Sequence, residues 1–199
     1  MTGSGPNNQK KNVWLGTLEA GLFMEKSVRL FPDDKKAGLL SFLVPLLLPL
    51  LWVYPLAVVP TQRMGDRGYF GLLSIHLPIE ALVIAVFFPV LWYVTKFLNK
   101  TEHFWRTVVM CNFIGIAEFA LMVPLLVMVM LGIHSWDEIY AMLIVVMFYQ
   151  IALTGFVIAY SLNVPWQFAG GLAFMTMFID QSVSKTVFFL MGIEQGALI

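Results

Sequence analysis

Six polar residues stand inside otherwise apolar stretches and could do chemistry there: His76, Glu80, Glu118, Gln150, Asp180 and Lys185. An ionisable group held among apolar residues is costly, so each is a candidate for handling protons or ions. His76 and Glu80 are four apart, which puts both on one face of a helix. Such a pair could relay a proton or hold a cation; the plainer alternative is a mutually satisfied pair near the edge of its stretch. Glu118 lies midway along another stretch, with Asn112 almost two turns before it. It reads either as a proton or ion site or as a polar link between helices. Asp180 also needs a partner, and a salt link to Lys185, five residues on, is the expectation. Lys185 is close enough to the end of its stretch to extend outward.

The usual catalytic and metal-binding signatures do not occur. There is no Walker loop, HExxH, GxSxG, CxxC or DxD-type cluster. His76, His103 and His134 fall toward different ends of the apolar stretches, which argues against a three-histidine metal site and against a histidine-ligated haem. The single cysteine, Cys111, can form neither an internal disulfide nor a multi-thiolate site. It reads as a small apolar filler. No catalytic residue, metal or cofactor is expected, and the chain reads as non-enzymatic.

Composition names the medium around these groups. Of 199 residues, 59% are hydrophobic and 12% charged, with a mean hydropathy of +0.82. Soluble domains hold about 45–50% apolar and about 25% charged residues. One soluble core of this size could not hide so much apolar surface, whereas lipid solvates it directly. Twelve basic residues balance twelve acidic ones. That balance gives no support for a nucleic-acid partner, which needs a concentrated basic face.

The elements that must position the candidates follow from hydropathy. Residues 1–12 are polar, and no cleavable signal peptide is read there, so the first span is expected to do the targeting. Over 13–31 the spacing predicts an amphipathic helix lying in the membrane surface. Glu19, Lys26 and Arg29 gather on one side and Val13, Ala20, Met24 and Phe31 lie opposite, although Leu15, Leu18 and Leu22 land on the charged side. Pro32 to Lys36 breaks this helix. Apolar spans are then expected over about 38–60, 70–94, 107–131, 139–162 and 167–191, each long enough for a hydrocarbon core of about 30 Å. The first carries Pro45, Pro49 and Pro55, so it should kink and leave carbonyls for its neighbours to cover. Gly170 and Gly171, with Ala169 and Ala173, should let two helices approach closely.

The expected fold is therefore an all-α, polytopic transmembrane bundle of about five helices with an N-terminal amphipathic surface helix. Residues 1–37 form a cytoplasmic segment, 38–191 the membrane domain and 192–199 a short tail. Lys10, Lys11, Lys26, Arg29, Lys35 and Lys36 fall on the same side as Lys96, Lys100 and Arg106, against Arg63 and Arg67 on the other. The positive-inside rule then puts the N-terminus in the cytoplasm and the C-terminus outside or in a lumen. Trp52, Trp92, Trp105, Trp136 and Trp166 mostly fall near the predicted interfaces. No internal repeat of the inverted-transporter kind is visible.

This layout resembles the Yip1-domain family. The resemblance rests on the polar N-terminus with its surface helix, the proline-rich first span, five closely spaced spans with minimal loops, and the ending Glu194-Gln195-Gly196-Ala197-Leu198-Ile199. The Asp-Leu-Tyr-Gly-Pro type motif of its eukaryotic trafficking members is missing, so GTPase binding does not carry over, nor does any residue-level role. The resemblance implies a scaffold or accessory subunit of a membrane assembly, located here in a bacterial inner membrane. Its partners would be membrane lipids and other membrane subunits, or further copies of the chain. The alternative is a small oligomeric transporter or channel that uses the intramembrane carboxylates. An enzyme acting on lipid would need Glu80, Glu118 and Asp180 to converge at one depth.

Overall fold

The computed structural model describes residues 11–59 and 68–191. Arg63 and Arg67 of the predicted first loop, and the tail over 192–199, lie outside the described residues. Every regular element among the described residues is helical. The order is α1 (Val13–Gly21), a 3-10 turn (Glu25–Leu30), α2 (Lys35–Ser41), α3 (Leu43–Leu47), α4 (Pro49–Val58), α5 (Tyr69–Phe97), a short leading turn (Thr101–His103) that enters α6 (Phe104–Met130), α7 (Trp136–Leu162) and α8 (Trp166–Leu190).

Local chemistry sets the helix ends. Asp34 caps α2 by accepting from the Ala37 N–H, 2.9 Å away. Ser135 and Glu138 form a reciprocal capping box at the start of α7. Asn163 stops α7 in the left-handed conformation (φ 51°), and Pro165 immediately precedes α8. The prolines of the first span break it as expected. Pro45 and Pro49 cannot donate to the preceding turn, and the rod divides into α2, α3 and α4 around Phe42 and Leu48. Side chains cover carbonyls along this broken rod. Ser41 Oγ donates to Gly38 C=O (2.7 Å) and accepts from Asn112 Nδ2 (2.8 Å), and Tyr69 Oη donates to Leu50 C=O (2.8 Å). Pro78, Pro89 and Pro124 leave α5 and α6 continuous.

Five rods pack in a closed ring. The broken rod touches α5, α5 touches α8, α8 runs along α7, α7 along α6, and α6 returns to the broken rod. The close approach expected of the small residues joins α7 to α8: a Cβ added at Gly155 would lie 3.6 Å from Gly170 Cα and 3.8 Å from Ala173 Cβ. At the end carrying Lys96, Lys100 and Arg106, called here the basic end, aromatic rings close the ring of helices. Phe42 meets Phe88, Phe88 meets Phe104, and Phe104 meets both Trp92 and Trp105, with centroids 4.8–5.0 Å apart. Toward the far end the apolar packing splits into two clusters. One joins Ile75 and Ile79 to Val187 and Phe188; the other joins Leu125 and Val129 to Ile139.

The rod over Lys35–Val58, α5, α6 with its leading turn, and α7 are each long and apolar enough to cross a membrane. The protein is therefore a multi-pass membrane protein. The fifth predicted stretch is helical too, but α8 carries Gln167, Asp180, Gln181, Ser182, Ser184 and Lys185 and does not reach that apolarity.

The N-terminal segment departs from the single surface helix predicted over 13–31. Helix α1 stops at Gly21, Phe23 turns the chain in the left-handed conformation (φ 56°), and the 3-10 turn runs back beside α1. This hairpin packs against α6 and α7. Its two ends are clasped near the basic end by Asp33, which binds Lys11 and, at 2.8 Å, Arg106. Its tip lies level with the middle of the bundle, where Tyr149, the central residue of α7, donates to Gly21 C=O. The wheel mismatch at Leu15, Leu18 and Leu22 now has a cause. Gly16, Thr17 and Ala20 face inward, while Leu18 and Leu22 stay more than 60% exposed. Lys26 folds back to pair with Glu19 at 2.9 Å. The exposed leucines form a lipid-type surface and the charges neutralise one another.

Two predictions concern this hairpin. Lys11 and Arg106 hold the Asp33 carboxyl at about 2, below its usual 3.8. A carboxylate whose folded value is lower stabilises the fold above the unfolded value and loses that contribution as pH falls through the folded one. Hydrogen exchange of the α1 amides, corrected for intrinsic rate, should stay constant from neutral pH to about 4 and accelerate as pH falls toward 2. Loss of protection already near neutral pH would assign the clasp to another group. Tyr149→Phe strips the Gly21 carbonyl of its donor at a cost of about 1 kcal/mol. The same measurement should show α1 opening roughly fivefold more often.

Candidate functional site

The register between α5 and α8 is set by Ile75, Ile79 and Val83 packing against Val183, Val187 and Phe188. Glu80 follows Ile79 directly, and Asp180 stands one turn before Val183. That register brings the two carboxylates within electrostatic range of one another. Both are half-buried in their helices. His76, one turn from Glu80 on α5, is buried at 8% exposure. Trp52 of α4 and Phe188 of α8 flank its imidazole edge-on, with centroids 4.4 and 6.4 Å away. The site is therefore the place where α4, α5 and α8 meet, with an imidazole packed between two aromatic rings and a half-buried carboxylate on each of α5 and α8.

The polar groups of this site are not paired off among the described residues. His76 and Glu80 share a face, as their spacing required, yet they do not satisfy one another: His76 Nε2 is buried and makes no hydrogen bond among the described residues. The expected Asp180–Lys185 salt link is also not formed among the described residues. Five residues is a poor helical spacing for contact, so Asp180 turns toward α5 while Lys185 stays exposed.

Glu118 belongs elsewhere. It faces α7, within electrostatic range of Tyr149 and Cys111, at the level of the hairpin tip. Gln150, next to Tyr149, is half-buried at that level. Glu80, Glu118 and Asp180 each lie within three residues of the centre of their helix, so they share one depth. They do not share one site. Among the described residues no group of three His, Cys, Asp or Glu side chains is placed to hold a metal ion.

Sequence reasoning missed Trp52, Phe188 and Tyr149. Trp52 and Trp92 look alike to a hydropathy profile, and only the packing of α4 on α5 separates a site wall from an interface anchor. Asn112 carried a weak signal as a polar residue in an apolar stretch, and its partner, Ser41, comes from another rod. No protein-family model, curated protein or solved structure matches the chain.

Proposed function

We propose that this membrane protein exchanges cations for protons across its bilayer by way of the polar groups where α4, α5 and α8 meet. One observation carries the reading: Glu80 of α5 and Asp180 of α8 lie within electrostatic range of one another across two packed helices, with no basic partner among the described residues. Two ionised carboxylates side by side in a low-dielectric layer repel strongly. A proton or a cation relieves that repulsion, so the same pair can accept either in turn. His76 lies one turn away to pass the proton, and Trp52 offers a ring face to a cation. In this reading the basic end faces the cytoplasm, and α8 makes the fifth crossing because it lies along α5 and α7. The aromatic closure from Phe42 to Trp105 is then the gate that must part.

Purified protein in liposomes holding a pH-sensitive dye tests this. With an inward cation gradient of sodium, potassium or tetramethylammonium, protons should leave the lumen for at least one of the three. No proton movement above that of protein-free vesicles, with any of them, would sink the reading.

A second reading, a scaffold or accessory subunit of a membrane assembly, is favoured by one observation: α8 turns polar side chains outward. Gln181, Ser182, Lys185 and Thr186 are all exposed.

A further inference from the structure

We infer that the outward face of α8 is a docking seam for a second copy of this chain. Gly171, Phe174, Phe178, Gln181 and Lys185 are all exposed on α8. Their spacing alternates three and four residues, the repeat with which one helix packs along another in a left-handed pair. The other faces of α8 are occupied by α7 and α5. This seam faces away from both neighbours and is left uncovered in the monomer.

Its chemistry selects the partner. Phe174 and Phe178 could face lipid without cost, at 48% and 62% exposure. With α8 crossing the bilayer, on which this inference rests as the proposed function does, Gln181 could not, because it stands three residues past the centre of α8 with two donors and an acceptor to satisfy. The hydroxyl of Thr186 is settled within the helix on the Ser182 carbonyl at 2.8 Å. Gln181 has no hydrogen bond among the described residues. A two-fold axis along the membrane normal brings each Gln181 opposite its own counterpart at the same depth. An amide is both donor and acceptor, so the pair is self-complementary in the way an isologous contact requires. Gly171 lets the two helices approach closely at one end of the seam. Lys185, five residues from the end of α8, extends toward the surface and leaves its counterpart room to do the same.

Disulfide trapping in native membranes tests the seam, using the full chain with Cys111→Ala as background. Phe174→Cys and Gln181→Cys should each cross-link into a dimer under mild oxidation, while Tyr93→Cys, exposed on α5, should not. Cross-linking at Tyr93→Cys alone, or at none of the three, overturns the proposal. Gln181→Leu should weaken the dimer about three- to tenfold by light scattering in mild detergent. A Gln181→Leu chain that dimerises as well as the parent also overturns it. Cross-linking and scattering read association alone, so their outcome is distinguishable from that of the liposome flux assay.

Discussion

Asp180→Asn and Glu80→Gln should each cut cation-driven proton release from liposomes roughly a hundredfold, the scale lost when a positioned proton-transfer group is removed. Both replacements keep shape and remove the ionisable oxygen. Each also removes the repulsion between Glu80 and Asp180, which lie within electrostatic range, so the thermal midpoint in detergent should hold or rise. That combination, activity lost and stability kept, separates a working pair from structural glue. A fall in folded yield with the loss of flux would return both residues to a structural role. Glu118→Gln provides an internal control: it shares their depth but faces Tyr149 and Cys111 on the α7 side, so flux should stay within a factor of about two of the parent. An equal loss with all three variants would mean that one path joins both regions.

Gly38→Ala should be the most damaging added methyl among the described glycines. A Cβ at that position would lie 2.3 Å from the Trp105 ring. The ring cannot retreat, because it packs on Phe104 and Phe88 with centroids 5.0 and 5.9 Å away. Overpacking of this kind costs about 1–3 kcal/mol, which for a chain this long lowers the thermal midpoint by about 3–10 °C. Gly68→Ala, with nothing within 4 Å of its added Cβ, should leave the midpoint unchanged. Trp105→Leu should recover part of the loss in the Gly38→Ala background if the clash is the cause. A midpoint for Gly38→Ala equal to that of Gly68→Ala would show that the aromatic closure is loosely packed. In that event the gate reading of the basic end would lose its mechanical basis.

The helical rods were legible because lipid imposes one simple requirement. Each crossing must satisfy its backbone internally and present apolar side chains outward, and both leave their mark in a linear string. The predicted stretches over 70–94, 107–131, 139–162 and 167–191 correspond to α5, α6, α7 and α8, with ends differing by three residues or fewer. The break in the first rod was readable for the same reason, since a proline without a donor interrupts any helix it enters.

The N-terminal segment was not readable in that way. A helical wheel assumes one helix and two media, whereas residues 13–31 form two elements that meet three surroundings: the bundle, the exposed outer face and each other. Folding back at Phe23 brings Lys26 onto Glu19, and no periodicity in the string encodes that reversal.

The candidate carboxylates divide along the same line. Hydropathy alone made Glu80, Glu118 and Asp180 conspicuous and set their common depth, because cost in an apolar layer depends only on distance along a rod. Which of them meet depends on how each rod is rotated about its axis. That rotation is set by the packing of Ile75, Ile79 and Val83 against Val183 and Val187, far apart in the string. Only the assembled ring therefore brought Glu80 within electrostatic range of Asp180, sent Glu118 to the α7 side, and left Lys185 outside.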